Sequence, residues 1–216
     1  MKYRYKIVCL LVLSAFICNV YSLKAQETDN TQTVEQLFSG FNDSDKLIEL
    51  PNGGYLYGQG EAKIYEYLDY MEGDANPVAI LNVSDSDSTI TVKEAKKEIE
   101  SNINQPLLRG SSVPTQVLQL AAGQVYVSNT FSGSGWRFSG YQFVADPSTG
   151  YYLKWITYID DGRVGNASLA MNTLKGQISG IEIYKNQSKY INYGPNGQIY
   201  YTYNPINGTY YRVENN

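Results

Sequence analysis

The chain has 216 residues, 17 basic and 21 acidic side chains, no histidine, and two cysteines. Both cysteines, Cys9 and Cys18, fall within the first two dozen residues. The remainder has no thiol nucleophile, disulfide, imidazole base or His/Cys metal site, which excludes the commonest catalytic constellations and leaves no cofactor expected.

Lys2, Arg4 and Lys6 precede an apolar run from Ile7 to Cys18, and small residues follow at Ser22 and Ala25. This pattern predicts a secretion signal over 1–25, cleaved after Ala25. The run is shorter than the roughly 20 apolar residues a membrane-crossing helix needs, so no transmembrane segment is expected after cleavage. Phe16-Ile17 ahead of Cys18 do not suit a lipoprotein box. Cleavage removes Lys2, Arg4, Lys6 and Lys24, leaving 13 cations against 21 acids, a net charge of −8. Such a surface repels polyphosphates, so nucleic acid is not an expected partner. The expected location is extracellular, periplasmic or in the cell envelope.

In chain order, Thr33 with Val34, Leu37, Phe38 and Phe41 predicts a short capped helix. Pro51-Asn-Gly-Gly54 predicts a turn joining Leu47–Leu50 to Tyr55–Tyr57 as a hairpin. Ile64, Leu68 and Met71, spaced i, i+4, i+7 ahead of Gly73, predict a helix over about 61–72. Val78–Val83 reads as a buried strand entering the polar turn Ser84–Ser88. Thr91 and Glu94 form a capping box for a helix that buries Val92, Ala95, Ile99 and Ile103. Its charged face is expected to be solvated, with Lys96 pairing Glu100.

The composition changes near residue 110. Beyond Gln116 apolar residues recur with period two, as in Val125/Val127, Tyr141/Phe143, Leu153/Trp155 and Ile199/Tyr201/Tyr203. Asp161-Gly162, Lys175-Gly176 and Asn196-Gly197 supply tight turns. The predicted fold is α+β: a small N-terminal α/β segment over 26–112, then a Tyr-rich antiparallel β-sandwich or barrel-like meander over 113–216. The near-repeat of Tyr193–Tyr200 by Tyr203–Tyr210 is read as tandem hairpins within one sheet.

The stretch Ile181-Glu-Ile-Tyr-Lys-Asn-Gln-Ser-Lys-Tyr-Ile-Asn-Tyr-Gly-Pro-Asn-Gly197 resembles the late strand pair of jacalin-type lectins. The resemblance covers less than a tenth of the chain and implies paired strands around a Tyr-Gly-Pro turn. That family's aromatic-x-Asp sugar loop has no counterpart here, so no binding residue is transferred.

Asp85 and Asp87 suggest a calcium loop, but the EF-hand glycine and glutamate positions hold Ile90 and Lys96, and helix capping suits them better. Asp160 and Asp161 are candidates for one half of the carboxylate pair of a carboxylate-only glycoside hydrolase, although Asp161-Gly162 already reads as a turn. The tyrosines carry more weight. Thirteen of 21 lie beyond residue 120, and the doublets Tyr151/Tyr152, Tyr200/Tyr201 and Tyr210/Tyr211 must point to opposite faces of a strand. Phenol rings interleaved with amides suit a pyranose, which offers CH faces to stack and hydroxyls to bond. The expected function is therefore noncatalytic binding of a glycan or cell-surface protein, with Trp136, Tyr193, Asn196, Tyr200, Tyr201 and Tyr203 as the ligand-binding residues. The alternative is a structural or adhesive protein associating through sheet edges.

Overall fold

A computed structural model describes residues 34–72, 75–84, 89–102, 113–129, 137–159, 166–173, 176–184, 188–192, 198–203 and 209–216. These form two sheets, with strands numbered in chain order. Sheet one runs, across its width, β13 (Ser188–Asn192), β10 (Tyr152–Ile159), β15 (Thr209–Glu214), β7 (Val125–Val127), β2 (Tyr55–Tyr57), β1 (Lys46–Glu49) and β5 (Thr89–Thr91). Sheet two runs β12 (Gly176–Tyr184), β11 (Asn166–Thr173), β14 (Gln198–Tyr203), β9 (Gln142–Ala145), β6 (Gln116–Leu120), β3 (Glu61–Glu66) and β4 (Ala79–Asn82), with β8 (Arg137–Phe138) also on β14. The fold is the expected α+β class with a sandwich of mostly antiparallel sheets. Among the described pairs, β6 and β9 run parallel, Val117 facing Gln142 and Leu120 facing Ala145. Each sheet draws strands from both sides of the composition change near residue 110.

Local chemistry builds the first elements. The β1–β2 hairpin turns through Gly53 and Gly54, both at positive φ (82° and 86°), and Gly53 N–H donates to the Leu50 carbonyl. A side chain at Gly54 would also collide with the Tyr126 ring, 2.5 Å from its hydroxyl, so conformation and space both require glycine there. The predicted capping box forms: Glu94 N–H donates to Thr91 Oγ1, and Thr91 N–H donates to Glu94 Oε2. It opens α3 (Val92–Asn102), whose buried face is Val92, Ala95 and Ile99. A helical turn at 34–37, α1, adds Val34, Leu37 and the following Phe38.

Two cores result. One lies between the sheets and joins Leu56, Tyr126, Leu153, Trp155, Tyr211 and Val213 of sheet one to Ile64, Leu118, Leu120 and Phe143 of sheet two. Its centre is aromatic. Trp155 stacks on Tyr211 at 5.4 Å and meets Phe143 edge-on at 5.3 Å, each such contact contributing about 0.5–1.5 kcal/mol beyond area burial. The second core lies on the outer face of sheet one, where α1 and α3 cover Leu47, Tyr55, Val125, Val127, Tyr158 and Tyr210. The molecule thus has three layers, and the Tyr210/Tyr211 doublet is buried on both faces.

Five sequence expectations are corrected. Residues 61–66 are a strand, because Ala62 and Ile64 alternate into the core and pair with Leu81 and Leu118; only α2 (Tyr67–Glu72) is helical, and Leu68 is exposed. β4 is a sheet edge, with Val78 and Ile80 exposed, rather than a buried strand. Lys96 reaches Glu35 and Asp43, both at 2.8 Å, and so ties α3 to the segment before β1. The late hairpins are not tandem in one sheet, since β13 and β15 flank β10 in sheet one and β14 belongs to sheet two. Among the described strands the pair implied by the lectin resemblance around Tyr193-Gly-Pro is absent for the same reason: β13 pairs with β10 and β14 with β11.

Candidate functional site

The outer face of sheet one is covered only in part. Beyond the helices it continues onto β15, β10 and β13 in a regular grid: Arg212 opposite Ile156, which faces Ser188; Glu214 opposite Lys154, which faces Tyr190; and Tyr152 opposite Asn192. Period-two alternation places all eight on one face, opposite the side taken by Leu153, Trp155 and Ile191 in the inner core. Tyr190 is 65% exposed and Tyr152 56%, while Asn192 and Ser188 are also exposed. Tyr152 and Tyr190 are diagonal neighbours on adjacent strands, a separation of about 7–8 Å that one ligand can bridge. The strands beneath them are held by continuous ladders on both sides of β10.

A charged network marks where cover ends. Arg212 Nη1 donates to the carbonyls of Leu37 (3.0 Å) and Ser39 (2.9 Å), which caps the end of α1, and its guanidinium lies 4.8 Å over the Phe41 ring. Its Nη2 meets Glu214 Oε1 at 2.7 Å, and Lys154 Nζ meets Glu214 Oε2 at 3.0 Å. Side-chain exposure rises along this line, from 7% for Arg212 and Glu214 to 25% for Lys154. Burial pushes the neighbouring Tyr158 phenol up, with Arg212 pulling against it. Phe41 stacks on Tyr57 at 4.1 Å and completes the rim.

Where β9 crosses to β10, a 3₁₀ turn at Pro147–Thr149 follows Asp146, whose charge reaches a second tyrosine group. Asp146 caps the turn by accepting from Ser148 N–H and hydroxyl, and these bonds hold its carboxyl below the usual range. Asn215 Nδ2 donates to the Leu120 carbonyl and to Thr149 Oγ1, fixing the corner to the last strand. Tyr65 hydroxyl donates to Gln119 Oε1 at 2.9 Å, and its ring meets Tyr70 edge-on at 5.2 Å. Burial first, and the Asp146 carboxylate with it, push the Tyr70 phenol up, so at neutral pH it acts as a neutral hydrogen-bonding hydroxyl. Tyr151, 38% exposed, directly precedes Tyr152 of the open face.

Of the residues expected to bind ligand, Trp136, Tyr193 and Asn196 lie outside the described residues, as do Asp85, Asp87, Asp160 and Asp161. Tyr200, Tyr201 and Tyr203 are placed by backbone register on β14, opposite Ala170, Leu169 and Ala167 of β11. Sequence reasoning missed Tyr152, Tyr190, Asn192 and Lys154 as a group. Their common face depends on β10 pairing with β13 rather than with its sequence neighbours. The Tyr151/Tyr152 doublet was the available signal. Among the described residues no group of three or more Asp, Glu, His or Cys could hold a metal, and no helix is long and apolar enough to cross a membrane.

No family model matches the chain, and no curated protein matches it. Among solved structures it is similar to the capsular polysaccharide assembling protein CapF from Staphylococcus aureus, at 12% identity over 86% of this chain and 59% of that one, with a TM-score of 0.24. CapF with the inhibitor 3-isopropenyl-tropolone gives 13% identity over 68% of this chain and 50% of that one, again with a TM-score of 0.24. The chain spans about half to three-fifths of the length of these structures, and a likeness at this level carries no functional argument.

Proposed function

We propose that this is an exported, noncatalytic saccharide-binding protein of the cell envelope or extracellular space, and that the open face of β10 and β13 is its binding surface. The observation that supports this reading is the pair of exposed rings, Tyr152 and Tyr190, on paired strands beside Asn192 and Lys154. Rings stack on pyranose CH faces while amide, hydroxyl and ammonium groups bond its hydroxyls. The leader-like start, Lys2 to Ala25, supports export.

A glycan array probed with the chain from Gln26 tests it, alongside Tyr152→Ala/Tyr190→Ala and Tyr200→Ala/Tyr201→Ala variants. Selective binding lost in the first variant is the expected result. Retention there with loss in the second would move the site to β14, and no binding by a folded sample would overturn the reading.

A second reading, association through sheet edges, is favoured by one observation: Val78 and Ile80 are each 55% exposed along edge strand β4. Sedimentation over a range of concentrations separates the two. Growth in mass that Ile80→Lys abolishes would support association.

A further inference from the structure

The network at the border of the open face has a charge imbalance. Arg212 and Lys154 contribute two cations and Glu214 one anion, so the trio is left with a net charge of +1. Arg212 is spent on inward contacts: two carbonyls of the covering segment and one oxygen of Glu214. Glu214 is nearly fully buried, with its oxygens committed to Arg212 and Lys154. The uncompensated charge therefore emerges at Lys154, the most exposed of the three. An ammonium has three donors, and among the described residues Glu214 takes one.

The register makes that ammonium's residue a neighbour of both rings. Tyr190 is directly opposite Lys154 on β13, Tyr152 is two residues back on the same strand face, and Asn192 faces Tyr152. The bond to buried Glu214 holds the lysine stem over the sheet on its β15 side, within reach of a ligand that lies across β10 from Tyr190. A cation beside two exposed rings on an otherwise acidic chain is complementary to an anion on a ring-shaped, hydroxylated ligand.

We infer that the saccharide bound on this face is an acidic one, whose ring carboxylate meets the Lys154 ammonium while its pyranose rings lie against Tyr152 and Tyr190. This rests on the saccharide reading above and narrows it to uronate-type sugars. Attraction to Lys154 selects them from neutral sugars of the same shape.

Calorimetric titration of the chain with oligogalacturonate, oligomannuronate and hyaluronan tetrasaccharides, each beside its carboxyl-reduced counterpart, tests the inference. At least one acid is expected to bind about tenfold tighter than its reduced form, with the preference fading as salt is raised. Lys154→Gln should abolish the preference but keep the weaker binding, Lys154→Arg should retain it, and Tyr152→Ala/Tyr190→Ala should lose both. Equal binding of acid and reduced forms, or an undiminished preference in Lys154→Gln, overturns the acidic assignment and leaves the platform standing. Binding of no saccharide, acidic or neutral, on the array or in the titration removes the platform itself. Should Lys154→Gln unfold, loss of preference with retained binding in Lys154→Met, checked by circular dichroism, serves the same purpose; an undiminished preference there overturns the assignment equally.

Discussion

On β10, Tyr158 is buried under the helical layer, while Tyr152, six residues earlier on the same face, stands in solvent. The same contrast divides β15 from β13: Tyr210 has no exposure and Tyr190 is mostly exposed. Identical side chains on one continuous face are thus core at one end and surface at the other. The difference comes from what crosses above them. Phe41, Arg212 and Glu214 form the line at which cover stops. A fully buried aromatic side chain contributes about 1.5–3 kcal/mol to folding, so the covered tyrosines are explained by stability alone. The uncovered pair gains only strand propensity and cross-strand packing, and recognition is the further role we propose for it.

The contrast can be broken most forcefully at its boundary. Arg212→Met should cost about 3–5 kcal/mol in urea unfolding, because Glu214 loses a buried partner and the carbonyls of Leu37 and Ser39 lose their donor. A cost below about 1 kcal/mol would mean that packing alone holds the cover. Gly54→Ala should cost about 1–3 kcal/mol by straining the β1–β2 turn that carries Tyr55 beneath the helices, read as a lowered urea midpoint. Thr91→Ala, which removes the cap of the covering helix α3, should cost about 1 kcal/mol by the same measurement.

Acid should weaken the covered end. The Lys96 bond and charge hold the Asp43 carboxyl below its ordinary 3.8, and the Thr91 bonds hold Glu94 below its ordinary 4.5. The unfolded chain therefore binds protons first, and the stability these groups supply is present above those values and lost as pH falls through and below them. Thermal melts should show a smaller fall between about pH 6 and pH 3 in a Lys96→Met/Glu94→Gln variant than in the parent. The smallest effect belongs to the open end. Tyr152→Ala and Tyr190→Ala should change unfolding free energy by no more than about 0.5 kcal/mol while abolishing ligand binding, and a large destabilisation would make them structural after all.

Much of the covered layer was legible in the sequence. Asn52-Gly53-Gly54 and the Thr91/Glu94 box are local signals that form as read, as does the predicted stripe through Val92, Ala95 and Ile99, its fourth member Ile103 lying outside the described residues. Trp155 was readable as core from its alternation with Leu153. What failed was the partnering of strands. Turn residues declare that the chain reverses, but not whether the next strand stays in its sheet, so β13, β14 and β15 were read as neighbours. Ile64, Leu68 and Met71 have helical spacing, yet the ladder to Leu118 and Leu81 outweighed it through Ile64 and Ala62. The open face was illegible for the same reason, since Tyr152 and Tyr190 meet only through that cross-strand pairing.

β15 has a kinetic consequence. It lies in the middle of sheet one, between β10 and β7, although it comes last among the strands in sequence. Until residues 209–214 are present, the sheet consists of two unconnected halves, β13 with β10 and β7 with β2, β1 and β5. Each join spans a long stretch of chain, and such non-local pairings are reached slowly. Assembly is therefore a late, all-at-once event. Before it, the chain exposes unpaired strand edges and depends on being shielded from its neighbours.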